Sequence, residues 1–199
     1  IIAFEPNPEQ RRFLEENLAT NAITQVQPVP LGLWDEDDVR LKLEGTDACA
    51  WVVPTRDDDG IPATTLDRYL AEAGVDDVDV ILLDIEGSEL RALRGARRIL
   101  DRPRDRAPDL IFEINRAFCD WSDGLAATEI VSFVRSFGYD VWALRDFQTN
   151  IDMSGCAIEL VELDGCYLAG PPHGFNMVAT KRPEQFDGSR VAFAVERPS

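Results

Sequence analysis

The sequence predicts an α/β protein: a mostly parallel, three-layer sheet with an antiparallel closing edge. Three observations carry this. Residues 78–84 and 109–114 are near-continuous apolar runs, the mark of strands buried on both faces of a parallel sheet. Strand and helix patterns alternate along the first two thirds of the chain, as in βαβ units. Consecutive strand candidates at 139–144, 157–163 and 175–180 then close the sheet.

Taken in order, residues 1–5 are a short apolar strand ending in Glu5. Asn7-Pro8-Glu9-Gln10 is a helix start, with Asn7 as cap, Pro8 at the first helical position and Gln10 as capping-box partner. That helix turns Phe13, Leu14 and Leu18 inward and stops near Asn21. Residues 26–33 form a second strand interrupted by Pro28 and Pro30. Residues 39–43 alternate with period two, as a half-exposed antiparallel strand does, with 50–53 as hairpin mate. A short helix over 65–73 ends at Gly74. Leu90, Leu93, Ile99 and Leu100 keep helical spacing after the 78–84 strand, and Ile130, Val134 and Phe137 face inward on a helix closed by Gly138.

A chain of 199 residues with 45% hydrophobic content can bury one sizeable core. No apolar run approaches the ~20 residues needed to span a bilayer, and no leader-like segment opens the chain, so the expected address is the cytoplasm. The net charge of −17 argues against a nucleic-acid partner, because such binding rests on neutralising phosphates. The arginine-dense stretch 91–106 reads as a solvated helix face, and the acidic runs 35–38 and 57–59 as exposed loops rather than calcium loops. Cys49, Cys119, Cys156 and Cys166 are scattered and His173 is the single histidine; this is a poor zinc inventory, and reduced, mostly buried thiols are expected. No metal site is expected.

Ligands of open α/β sheets bind at the carboxyl ends of the strands, which directs attention to Glu5, Asp84, Glu86 and Glu113. Glu5 can accept both hydroxyls of a ribose, or serve as an acid favoured by a helix N-terminus. Asp84-Ile85-Glu86-Gly87-Ser88-Glu89 places three carboxylates directly after a buried strand. Helix-dipole stabilisation, with Ser88 as cap, accounts for Glu86 and Glu89 but less well for Asp84. Glu113 is either a paired structural carboxylate or a substrate-site group. His173, in the loop Gly170-Pro171-Pro172-His173-Gly174, is an inert surface histidine or a general base. Trp51, Trp121 and Trp142 line an apolar pocket or pack in the core.

Together, Ala3-Phe4-Glu5-Pro6-Asn7-Pro8, Thr65-Leu66-Asp67, Asp84 to Glu89 with Leu93-Arg94-Gly95-Ala96, Phe112-Glu113-Ile114 and Phe175 to Ala179 resemble the FkbM family of methyltransferases over nearly the whole chain. The ordered combination is specific where each piece alone is weak. The resemblance implies a Rossmann-like class I methyltransferase fold over residues 1–199 as one domain. It implies S-adenosylmethionine as cofactor and O-methylation of a small-molecule hydroxyl, on a sugar or secondary metabolite. It puts Glu5, Asn7, Gly32, Leu33 and Asp84 on the cofactor: Glu5 at the ribose, Gly32 and Leu33 near the adenine, Asp84 beside the transferring methyl. Asp84, Glu113 and His173 are the candidate bases. Two departures stand out. Leu82 occupies a position that is often lysine in the family, and the first strand with its glycine-rich loop is expected upstream of Ile1. A dinucleotide-dependent oxidoreductase or a non-catalytic interaction domain would share the scaffold. A 175–180 strand running parallel in the sheet would favour the oxidoreductase.

Overall fold

A computed structural model describes residues 1–45, 51–145, 155–166, 168, 174–186, 188 and 190–194. The chain divides into two compact units, residues 1–76 with 91–97, and residues 77–90 with 98–199.

Unit 1 opens with β1 (Ile2–Phe4), paired in parallel with β2 (Gln27–Val29) so that Phe4 meets Val29. Between them lies α1 (Pro8–Thr20). The Asn7 Oδ1 accepts from the N–H of Glu9 at 2.9 Å, and Pro8 sits where a missing donor costs nothing. The N–H of Asn7 is taken by Glu5 Oε1 at 2.8 Å, so Glu5 fills the capping-box role expected of Gln10. Leu14 and Leu18 are half-buried, four residues apart on one stripe. Phe13 lies off that stripe and is exposed, with the Arg12 guanidinium over its ring.

The predicted second strand splits at Pro30, which offers no ladder donor. Beyond it, β3 (Gly32–Leu33) joins a four-stranded sheet with β4 (Arg40–Glu44), β5 (Trp51–Thr55) and β6 (Ile61–Thr64), in the order β3-β6-β4-β5. The predicted hairpin is present, with Leu41 opposite Pro54 and Glu44 opposite Trp51. Strand β6 escaped the sequence analysis because Pro62 masks its four residues. Trp34, Leu41 and Ala63 form the core beneath this sheet, with Val39 and Val52 against it. Helix α2 (Leu66–Ala73) is capped by the Thr65 hydroxyl and closed by Gly74 at φ 67°. The Tyr69 ring meets Phe4 edge-on at 4.8 Å.

The 35–38 run, expected as a plain exposed loop, is tethered. Asp35 pairs with Arg91 at 2.6 Å and Asp38 with Arg68 at 3.0 Å. Asp37 accepts from the Thr65 N–H at 2.8 Å, and that bond holds its carboxyl below the usual range.

Unit 2 holds β7 (Val80–Leu83), β8 (Asp109–Asn115), α5 (Glu129–Arg135), β9 (Asp140–Leu144), β10 (Ile158–Val161), β11 (Gly174–Thr180) and β12 (Val191–Ala194). α3 (Glu89–Arg94) and α4 (Arg97–Leu100) lie where the chain crosses between the units; Gly95-Ala96 breaks what the sequence suggested as one helix. The six-stranded sheet runs β12-β10-β9-β11-β8-β7. β7 and β8 are parallel, as are β10 and β12, but β11 is antiparallel to both β8 and β9, and β9 to β10. The sheet is therefore mixed rather than mostly parallel. After α5 no further α-helix appears among the described residues, and of the strand pairs formed there only β10–β12 is parallel, its two strands separated in sequence by β11. The 175–180 strand is antiparallel beside β8, with Phe175 opposite Ile114 and Ala179 opposite Leu110, which removes the ground for the oxidoreductase.

Leu110, Phe112, Ile114, Val131, Val134 and Met177 are fully buried in the unit 2 core, each contributing about 1.5–3 kcal/mol by burial. β7 corrects one expectation. It was read as buried on both faces, yet Val80 and Leu82 are 53% and 66% exposed and only Ile81 and Leu83 turn into the core. The face that carries Val80 and Leu82 is open, and Ile111, which pairs with Leu82 on the same side, is only half-buried. Trp121 is buried with its ring edge-on to Phe175, and Trp142 is buried against Phe186 and Phe193, its indole N–H donating to Glu162 at 3.0 Å. Both are core residues.

The arginine stretch is paired rather than merely solvated: Arg104 with Glu184, and Arg106 with Asp77 at 2.8 Å. Among the described residues no helix is long and apolar enough to cross a membrane, and no cluster of three His, Cys, Asp or Glu side chains is placed to hold a metal ion. Cys119, Cys156 and Cys166 are free thiols, Cys156 exposed and the other two half-buried rather than enclosed.

Candidate functional site

The predicted residues fall into two groups. Glu5, Asn7, Gly32 and Leu33 belong to unit 1, Asp84 and Glu113 to unit 2. His173 lies outside the described residues.

In unit 1, Glu5 leaves the carboxyl end of β1, half-buried, its backbone N–H held by the Val29 carbonyl at 3.0 Å. Its Oε1 is occupied by Asn7; Oε2 has no hydrogen-bond partner among the described residues. Asn7 spends its own side-chain oxygen on capping α1. Gly32 is buried, and a Cβ there would come within 2.7 Å of Leu41 Cδ1. The space beside it is filled by the core of the small sheet. Open grooves among the described residues of this unit include one of about 380 Å³ bordered by Arg40, Thr64 and Arg68, and another of about 290 Å³ bordered by Trp34, Asp35 and Arg91. None of the four predicted residues lines either groove.

In unit 2 the register builds the site. Leu83 pairs with Phe112 across parallel strands, so the next residues, Asp84 and Glu113, stand at the same level of neighbours spaced about 4.8 Å apart. On the far side of β8, Glu113 is paired with Asn176 of β11. Side chains alternate along a strand. Asp84, Glu113 and Asn176 therefore form a polar row on the more open face, continuing from the apolar row Leu82, Ile111 and Val178. The sequence alone assigns Asn176 no role, because cross-strand register cannot be read from one strand. The first residue of β11 is also selected by this site. A Cβ on Gly174 would lie 2.8 Å from Glu113 Oε1 and 2.6 Å from the Ile114 carbonyl.

The turn after Asp84 is held by a residue the sequence analysis left to the helix dipole. Glu89 is only 5% exposed. Its Oε1 accepts from the N–H of Ile85 at 3.0 Å and of Gly87 at 3.3 Å. The signal was its four-residue spacing from Ile85, a reach-back like that of a capping box. Burial pushes the Glu89 carboxyl up against the pull of backbone N–H groups, and Glu113 pushes it further in the same direction. Burial also raises the nearby Cys119 thiol, with Asp120, Glu129 and Glu89 adding to it, so this cysteine stays protonated and unreactive.

The raised carboxyl has a measurable consequence. As pH rises past the ordinary value of 4.5, the unfolded chain releases this proton before the folded one. Stability contributed by protonated Glu89 is complete below that value and is lost as pH climbs through the higher folded value. Glu89→Gln, which imitates the protonated form, is expected to melt above wild type at pH 7–8. The gap should close on approaching pH 4. A lower melting temperature for Glu89→Gln at pH 7 would contradict this.

The chain is α/β, and in each unit by itself acidic residues stand at strand carboxyl ends: Glu5 after β1 in unit 1, Asp84 after β7 and Glu113 in β8 of unit 2. The family follows from comparison. The family model of the methyltransferase FkbM domain matches residues 1–141, and the chain belongs to that family. A crystal structure of an FkbM methyltransferase from Methylobacillus flagellatus is similar, with a TM-score of 0.46 and 17% identity over 89% of this chain. The chain spans 36% of the length of that protein. No curated protein matches it.

Proposed function

We propose that the protein is an S-adenosylmethionine-dependent methyltransferase acting on a small-molecule hydroxyl, on a sugar or a secondary metabolite. Residues 1–199 are read as a single methyltransferase domain of the Rossmann-like class I kind. The observation that carries this reading is the row Asp84–Glu113–Asn176, at the carboxyl ends of β7 and β8 and beside the amino end of the antiparallel β11, in a chain of the FkbM family.

The residues present suit the cofactor. Glu5 keeps one carboxylate oxygen uncommitted at the end of β1, the donor-accepting chemistry a ribose diol needs. Asp84 is exposed at the end of β7, where a carboxylate favours a neighbouring cationic group. When bound, S-adenosylmethionine supplies a methyl group on a positively charged sulfur. The protein's part is mainly alignment and exclusion of water. Asp84, and after it Glu113, would take the proton from the acceptor hydroxyl, which leaves the oxygen nucleophilic. The Asn176 amide can donate to one group and accept from another, and so would orient that hydroxyl between the carboxylates.

The test is transfer of a labelled methyl from S-adenosylmethionine to a panel of sugar and polyketide-like alcohols. Label should appear on acceptor oxygen. Turnover of a nicotinamide dinucleotide with an alcohol, and no methyl transfer, would replace this reading with the oxidoreductase one.

A further inference from the structure

We propose that Glu89 is a positioning residue that clamps the turn after β7 and thereby sets the direction in which Asp84 is presented. The inference rests on Asp84 being the working carboxylate of the proposed methyltransferase.

The turn does not hold itself. Glu86 adopts φ 49°, a left-handed conformation unfavourable for any residue with a Cβ, and Gly87 follows at φ 91°. The turn's internal backbone bond, from the Ser88 N–H to the Ile85 carbonyl, is long at 3.3 Å. Two features compensate. The Phe118 ring lies flat against Gly87, so close that a Cβ there would come within 2.3 Å of it. From the other side, a single oxygen of Glu89 gathers the N–H groups of Ile85 and Gly87. Glu89 is buried to do this, and burial of a carboxylate is costly unless its hydrogen bonds are needed.

The link to Asp84 is covalent. The Ile85 N–H sits on the peptide unit that joins Asp84 to Ile85. Fixing that N–H fixes the plane of the peptide, hence ψ of Asp84, because a trans peptide leaves only two soft dihedrals per residue. The end of the β7 ladder at Leu83 holds the amino side of Asp84 and this peptide plane holds its carboxyl side, so φ, which sets the direction of the Cα–Cβ bond, is held as well; with the plane free, φ is held from one side only.

The experiment compares Glu89→Gln and Glu89→Ala by amide hydrogen exchange and steady-state kinetics. Glutamine retains an oxygen at the same reach; alanine has none. Exchange at Ile85 and Gly87 is expected to quicken at least tenfold in Glu89→Ala and to stay within threefold of wild type in Glu89→Gln. Leu110 and Phe112 in β8 should remain protected in both. With methyl transfer as readout, Glu89→Ala should lose at least tenfold in kcat with little change in acceptor KM, and Glu89→Gln should restore kcat. Unchanged exchange at Ile85 and Gly87 in Glu89→Ala would overturn the clamp. Faster exchange with an unchanged kcat would overturn the link to Asp84. Should the wild-type protein transfer no methyl group, the functional reading fails, while the exchange data still decide the clamp. If Glu89→Ala does not fold, Glu89→Asp, one methylene too short to reach both N–H groups, replaces it with the same expectations.

Discussion

Asp84→Asn is expected to lower methyl-transfer turnover by about 100-fold or more while leaving the protein folded. A positioned general base contributes roughly 10²–10⁴ in rate, and asparagine keeps the shape of aspartate while removing the basic oxygen. Asp84 is exposed at the end of β7. Surface substitutions of this kind usually change stability by only about 0.5 kcal/mol, so melting temperature should move little. Rate measured beside thermal unfolding separates chemistry from folding. Normal turnover in Asp84→Asn would move the active site elsewhere and leave the polar row as a structural feature.

Gly95→Ala is expected to cause the largest loss of stability from a single methyl group. A Cβ at Gly95 would sit 2.1 Å from the Trp34 carbonyl oxygen and 3.2 Å from Thr65 Cβ. The nearer obstacle is backbone, which cannot rotate aside as a side chain can. The same glycine's carbonyl accepts from the Asp67 N–H at 3.0 Å, in the first turn of α2. Overpacking costs about 1–3 kcal/mol, and a weakened hydrogen bond adds about 1 kcal/mol. A loss near 3 kcal/mol would lower the melting temperature by roughly 6–12 °C in a domain of this size. Gly155→Ala is the control, since nothing lies within 4 Å of a Cβ there. If Gly95→Ala and Gly155→Ala melt alike, the close approach to Trp34 does not exist.

Much of the local structure was legible because it rests on local chemistry. Asn7 and Pro8 announce α1, Thr65 and Gly74 bracket α2, and period-two alternation gives the β4–β5 hairpin. What the sequence could not show depends on residues far apart in the chain. The apolar run 78–84 looks the same whether a strand is covered on one face or two, and Leu82 is exposed because β7 has one open face. Pro28 and Pro30 were seen, but that Pro30 passes the chain from one sheet to another is a property of β6, hidden by Pro62. The candidate site divides in the same way. Glu5, Asp84 and Glu113 were found as acids at strand ends. Asn176 joins them only through the β8–β11 register, and Glu89, which looked like a dipole-stabilising surface acid, is buried behind the turn.

The central claim, that this protein uses S-adenosylmethionine, is tested most directly by calorimetric titration with S-adenosylhomocysteine, run beside a nicotinamide dinucleotide. Saturable 1:1 binding of S-adenosylhomocysteine alone is expected. Glu5→Gln should weaken it by about 1–3 kcal/mol, the worth of a charge-assisted hydrogen bond. Saturable binding of the dinucleotide with no heat from S-adenosylhomocysteine would contradict the account.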